Sequence, residues 1–77
     1  MNSSRQISPE DHRDHRRGAV LSVRGSVVDA WFPDPIPAFH SELRAGDDGR
    51  IIIEVVNHLD PETVRGVSLT PTAGLAR

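Results

Sequence analysis

IIIEVVNHLDPETVRGVSL, residues 51–69, decides how the rest of the chain reads. Its first six residues hold three isoleucines and two valines. Such β-branched side chains are stiff at χ1 and suit the pleated, half-buried surface of a strand. A strand is expected over residues 50–56. Asp60-Pro61-Glu62 follows as a turn, since Pro fixes φ and Asp bonds nearby backbone. A second strand is expected over 64–69. Side chains alternate faces along a strand. Ile51, Ile53 and Val55 therefore share one face, and Ile52, Glu54 and Val56 the other. Both faces are largely apolar, which a strand with one wet side would not need. Either the second face docks on a neighbour, or it holds the scattered apolar residues any surface carries.

Working upstream, Gly46-Asp47-Asp48-Gly49 reads as a tight turn, because Gly and Asp tolerate positive φ. A short strand is expected over 39–44. Pro33, Pro35 and Pro37 exclude regular ladder bonding before it. Strands over 19–24 and 27–32 flank Gly25-Ser26, where Gly25 suits a bulge or sharp bend. In the second of these, Val28, Ala30 and Phe32 oppose Val27, Asp29 and Trp31. Short strands at close spacing with Gly/Pro turns predict an all-β fold, a small closed β-barrel rather than a sandwich. Closure also removes edges that would otherwise pair with other chains. Val20, Val28, Phe32, Ile53, Val55, Val67 and Leu69 are the expected core.

The ends differ in texture. Residues 1–17 are polar, with Ile7 the only large apolar residue after Met1, and charges of both signs crowd 10–17. This segment cannot bury enough surface to offset its ordering entropy. It is expected to be a disordered charged tail, although Pro9-Glu10-Asp11 suits a first helical turn. The barrel domain is placed at 18–70, and 71–77 reads as the start of a linker.

Bulk properties narrow the function. A chain of 77 residues makes one small domain, which buries only about 60% of its unfolded surface and often leans on neighbours. Cysteine is absent, so disulfides and thiolate metal sites are excluded. Net charge is −2 and aromatics are 4%. That leaves neither a basic field nor a stacking platform for nucleic acid. No apolar run approaches the ~20 residues of a membrane helix, and no secretory h-region is expected at the N-terminus.

Candidate chemical residues read as structural. His12 and His15, with Asp11 and Asp14, have metal-ligand spacing only on a rigid helix with a further fixed ligand. In a charged tail they read as a solvated run. His12-Arg13-Asp14 echoes a kinase catalytic loop, without the Gly-rich loop and strand lysine that give that motif meaning. All nine basic residues are Arg, so no P-loop lysine lies in this chain. Asp29, Glu42, Glu54 and Glu62 are carboxylates without a shared cleft, and read as solvated. His40 and His58 read as satisfied polar positions at strand ends. Ser68, Thr70 and Thr72 lack a nucleophile's context. Arg65, between apolar neighbours in the last strand, invites an ion pair or a carbonyl contact. No catalytic, cofactor-binding or metal residue is expected.

Several short matches occur in order. They are Val20, Val23, Gly25, Val27-Val28-Asp29 and Phe32-Pro33; then Ile36-Pro37 and Leu43; then Ile53-Glu54-Val55 with His58-Leu59; then Val64-Arg65; and finally Thr72, Gly74, Leu75 and Arg77. Together they resemble the N-terminal β-barrel of the F-type ATP synthase β-subunit family over 18–77. Ser26, Trp31, Phe39-His40, Gly66 and Ser68 depart from the usual pattern. These departures fit a divergent or second-copy β subunit and leave the coupling ion, proton or sodium, open.

The resemblance implies six strands. It also implies a crown of barrels alternating with those of α subunits at the end of a hexamer away from the membrane. The implied parent makes ATP from ADP and phosphate by rotary coupling, or hydrolyses it in reverse. It would sit peripherally on the cytoplasmic side of the bacterial inner membrane, joined to a rotor and membrane sector, without inserting directly. Its Mg-ATP or Mg-ADP would be held by a P-loop Lys and Thr, a positioning Glu and an α-subunit Arg, all outside this chain. Two alternatives stay open: a stand-alone SH3-like or OB-like interaction module, and the barrel of a vacuolar or flagellar-export ATPase. The Asp29-Ala30-Trp31-Phe32-Pro33 run and Glu54 with His58 favour the F-type reading. The closing Thr-x-Gly-Leu-x-Arg looks like a linker rather than the end of a self-contained module.

Overall fold

Six antiparallel strands close on themselves in the order β1-β2-β3-β6-β5-β4. They are β1 (Gln6–Pro9), β2 (Gly18–Arg24), β3 (Val27–Trp31), β4 (Glu42–Ala45), β5 (Ile51–Asp60) and β6 (Thr63–Ser68). The structure is a computed structural model that describes residues 5–10, 16–33, 35–46, 48–73 and 75. All-β closure with six strands agrees with the sequence reading. The inside is filled by alternate residues of every strand. Ile7, Val20, Val28, Leu43, Ile53, Val55 and Val64 are each at most 1% exposed, and Phe32 caps the end of β3 at 0%. The ladder explains this alignment: Pro9 faces Leu43, Leu43 faces Ile53 and Ile53 faces Ser68 across three successive strand pairs.

Part of the expected tail is barrel wall. Residues 6–9 form β1, which pairs with β2 through Ile7 and Gly18, and with β4 through Ile7 and Ala45. Ile7 is 1% exposed, and its burial orders a segment whose other side chains are polar. Without β1, both β2 and β4 would present an unpaired edge. Pro9 ends this strand instead of opening a helix; a strand terminus tolerates its missing N–H. Residues 1–4 and 11–15 of the expected tail lie outside the described residues.

Two expected core residues are also corrected. Val67 is 36% exposed and Leu69 56% exposed. The inward face of β6 is instead Val64, Gly66 and Ser68. Gly66 occupies that face because the Ile53 Cγ2 methyl fills the space a Cβ would need. A small residue at an inward position hides the parity of the strand from the sequence. β4 starts at Glu42, later than expected, because 38–41 make a turn. In that turn Ser41 N donates to the Ala38 carbonyl at 3.2 Å, and His40 takes φ 68.

Candidate assembly surface

Three register shifts interrupt the barrel, and each leaves one aliphatic residue unpaired. In β2 the pairing with β3 slips between Val20 and Ser22. In β5 the pairing with β6 slips between Val55 and Asn57, and again between His58 and Asp60. The extra residues are Leu21, Val56 and Leu59, exposed by 49%, 44% and 41%. A bulge leaves one residue unpaired and re-aims its side chain. Strict alternation already puts Leu21 opposite Val20, and Val56 opposite Ile53 and Val55; it cannot find Leu59, which faces outward only because the parity of β5 shifts at the bulge. β5 runs on to Asp60, past the expected end at Val56, because Asn57, His58 and Asp60 still pair with β6. Trp31, Phe39, Val67 and Leu69 add to the exposed apolar surface. Trp31, Asp29 and Val27 share the outer face of β3, as alternation predicts.

An ion pair sits among these residues. Asp29 and Arg65 are direct cross-strand partners of β3 and β6. Arg65 Nε donates to Asp29 Oδ1 at 2.8 Å, and its Nη2 donates to Oδ2 at 3.0 Å. Ser22 Oγ donates to the same carboxylate at 3.3 Å. The forked geometry is the strong form of such a pair. The sequence expectation of an ion pair for Arg65 is met; the expectation of a solvated Asp29 is not. The Arg65 hydrogen bonds hold the Asp29 carboxyl below its ordinary pKa, against partial burial, which pushes it up. A depressed folded-state pKa adds stability that is present above the unfolded value of about 3.9 and is lost as pH falls through the folded value. The gap in urea midpoint between the native chain and Asp29→Asn should therefore be widest at neutral pH and shrink in acid. A constant gap would mean that the charge is not what the pair contributes.

The remaining candidates are structural in place. Glu42 and Glu54 stand directly opposite across β4 and β5, a closeness that their separation in sequence conceals. Glu54 is engaged by His40 Nδ1 at 3.0 Å. His58 lies inside the described length of β5. Its Nε2 donates to the Pro37 carbonyl at 2.8 Å, and its ring stacks on Phe39 at 4.2 Å and 12°. Arg44 holds Glu10 through Nη2 at 3.0 Å, tying β4 to the residue after β1. Ser68 Oγ donates to the Thr70 carbonyl, and Thr72 Oγ1 to the Gly25 carbonyl at 3.1 Å. These hydroxyls dock the C-terminal segment. Glu62 is exposed in the turn after β5. His12, His15, Asp11 and Asp14 lie outside the described residues.

A groove of about 510 Å³ beside β1 and β4 is lined by Pro9, Glu10, Arg16, Pro37, Ala38, Ser41 and Glu42. Glu10 is already committed to Arg44 there. Among the described residues no group of three or more His, Cys, Asp and Glu could hold a metal, and no helix is long and apolar enough to cross a membrane. The Gly49 amide donates to the Gly46 carbonyl at 3.3 Å and closes the turn between β4 and β5.

The sequence profile described as "ATP synthase alpha/beta family, beta-barrel domain" matches residues 20–77. Similar proteins carry related names. "ATP synthase subunit beta 2" of Syntrophotalea carbinolica is 54% identical over 61 residues, covering 79% of this chain and 13% of that protein. "ATP synthase subunit beta 2" of Polaromonas naphthalenivorans is 55% identical over 60 residues, covering 78% and 12%. "ATP synthase subunit beta 1" of a Marinomonas species is 49% identical over 65 residues, covering 78% and 13%. The matched region is thus only about an eighth of each relative's length.

Proposed function

This chain belongs to the ATP synthase alpha/beta family through its β-barrel domain, and on that premise we propose that it is the assembly domain of a longer catalytic β subunit. The observation that carries the reading is the outer surface. Seven large apolar side chains are at least 36% exposed on a barrel whose interior is already filled. So many exposed apolar side chains on a small barrel offer docking faces on more than one side. Neighbouring barrels, those of α subunits, would cover them in a crown.

The parent, on this reading, makes ATP from ADP and phosphate using a proton or sodium gradient, and hydrolyses ATP in reverse. It works peripherally on the cytoplasmic side of a bacterial inner membrane, coupled to a rotor and membrane sector. Mg-ATP and Mg-ADP belong to its other domains. This chain contributes position: it holds catalytic and companion subunits in a ring so that an α-subunit Arg reaches the β-subunit nucleotide. The names of the relatives favour this over a free-standing module or a vacuolar or flagellar-export barrel.

Binding tests the reading. The isolated chain, titrated against the barrel of the companion α subunit in a calorimeter, should bind. Binding should weaken at least tenfold when Leu21 or Val56 is replaced by Asp, since desolvated apolar contacts dominate interface energies. Equal affinity for both variants would remove the β2 and β5 sides of the barrel from the interface.

A further inference from the structure

β1 is the slightest wall of the barrel. It holds one fully buried side chain, Ile7, where β5 buries Ile51, Ile53 and Val55. It meets β2 only through Gln6 with Ala19 and Ile7 with Gly18. It meets β4 through Ile7 with Ala45, Ser8 with Arg44 and Pro9 with Leu43. A tight hairpin joins its strands by about two to five residues. Residues 10–17 separate β1 from β2, so no tight turn ties the two. The firmest tie is a catch just beyond the strand. Glu10 N donates to the Glu42 carbonyl at 2.9 Å. Arg44 Nε donates to Glu10 Oε2 at 2.5 Å, and its Nη2 to Oε1 at 3.0 Å. Arg44 Nη1 also donates to the Gly49 carbonyl at 3.3 Å, which aims the guanidinium at the seam from the β4 side. The Arg44 and Glu10 side chains are 41% and 40% exposed, so a carboxylate arriving from solvent can reach this arginine.

We propose that the seam between β2 and β4 is a strand-acceptor site in which β1 is a replaceable occupant. It takes an extended segment of a partner protein that carries an aliphatic residue in the place of Ile7 and a carboxylate three residues later. With β1 out, both walls of the seam present backbone donors and acceptors that need partners. A short strand therefore bonds to two edges at once. Recognition by strand addition draws affinity from the main chain and specificity from side-chain positions. Two positions specify here. Ile7 pairs with Gly18 on one side and Ala45 on the other, both small, so one aliphatic side chain fills the seam. Arg44 reads the carboxylate through its fork, and a basic segment would meet it with like charge. The tethered β1 competes at an effective concentration of about millimolar. A partner must therefore hold the seam better than β1 does, or arrive where β1 has been loosened. The seam is distinct from the outward faces of β2 and β5, and the proposal goes beyond the assembly role without resting on it.

Peptide rescue of the full chain tests the proposal. Ile7→Asp should lower the thermal midpoint, because an unpaired acid does not enter the interior. The peptide RQISPE, residues 5–10, should raise that midpoint with concentration, as a ligand of the folded state alone does. The same peptide with Asp at the Ile position should not. A peptide with Arg at the Glu position should act only on a chain that also carries Arg44→Glu. Glu10→Ala, which loses the catch and keeps Ile7, covers the case in which Ile7→Asp does not fold. In fluorescence anisotropy, labelled RQISPE should bind this variant about tenfold more tightly than the native chain, whose own Glu10 competes for Arg44. Failure of the peptide to raise the midpoint of Ile7→Asp and to favour Glu10→Ala overturns the proposal, as does a rise indifferent to peptide sequence. A dimer of the variants in place of the peptide complex would give the seam to a second copy's β1 and also overturn it. None of these outcomes bears on the calorimetric test against the α-subunit barrel, which reads Leu21 and Val56.

Discussion

Phe32→Ala should destabilise the barrel by about 3–5 kcal/mol, the range for emptying a large aromatic site in a core. Phe32 is 0% exposed and ranks first by volume among the fully buried side chains. It follows β3 directly, and its backbone N donates to the Glu62 carbonyl at 2.9 Å, so it is held in place from the β5–β6 turn. Its ring also lies against Gly18, 2.8 Å from where a Cβ on that residue would stand. Collapse into the vacated space would need β2 to shift, and β2 is tied on both sides, so the cavity should remain largely open. A domain of this length has a total stability of about 4–12 kcal/mol, so the variant should be mostly unfolded near its lower end. Urea unfolding followed through Trp31, the chain's single Trp, measures the loss. An unchanged midpoint would remove Phe32 from the core.

Gly66→Ala should cost about 3 kcal/mol, at the upper end for overpacking. A Cβ there would overlap the Ile53 Cγ2 methyl and stand 2.9 Å from the Glu54 carbonyl oxygen. A branched methyl next to the backbone cannot swing away as the tip of a long side chain can, and the carbonyl belongs to the neighbouring strand. The β5–β6 ladder itself must move. Gly25→Ala is the control. Nothing lies within 4 Å of its Cβ position and only its φ of +56 opposes a side chain, which costs about 1–2 kcal/mol. Thermal midpoints should therefore fall further for Gly66→Ala than for Gly25→Ala. The reverse order would place the constraint in the turn rather than in the barrel wall.

The same two residues show what could be read from the sequence. The turn at Gly25 and the face carrying Ile51, Ile53 and Val55 were legible, because strand period and turn chemistry are local. Val67 and Leu69 were misread as core because Gly66 and Ser68, small or polar, hold the inward positions of β6. Their inward role depends on Ile53 filling the space from the opposite strand, which is a tertiary fact. β1 was missed for the complementary reason. One buried residue, Ile7, is too short a signal for a period, and only its partners on β2 and β4 make it a strand. The Arg65 partnership was foreseen without its partner; Asp29 is 36 residues away and becomes a neighbour only through the β3–β6 register. The excess of apolar residues on the outward face was visible, and pattern alone left open whether it docks on a neighbour. Val56 and Leu21 fall on the outward face by alternation alone; that Leu59 does too depends on the β5 bulges, and a bulge has no sequence period to reveal it.

The most direct test of an assembly role uses a full-length β subunit carrying this barrel with Trp31→Asp and Val56→Asp, coexpressed with its α subunit. Native mass spectrometry would count the complexes formed, and a fluorescent ATP analogue would measure nucleotide binding by the same β subunit. The expected result is a β subunit that still binds nucleotide but fails to form hexamers. Hexamers at the native yield would contradict the assembly role of this face.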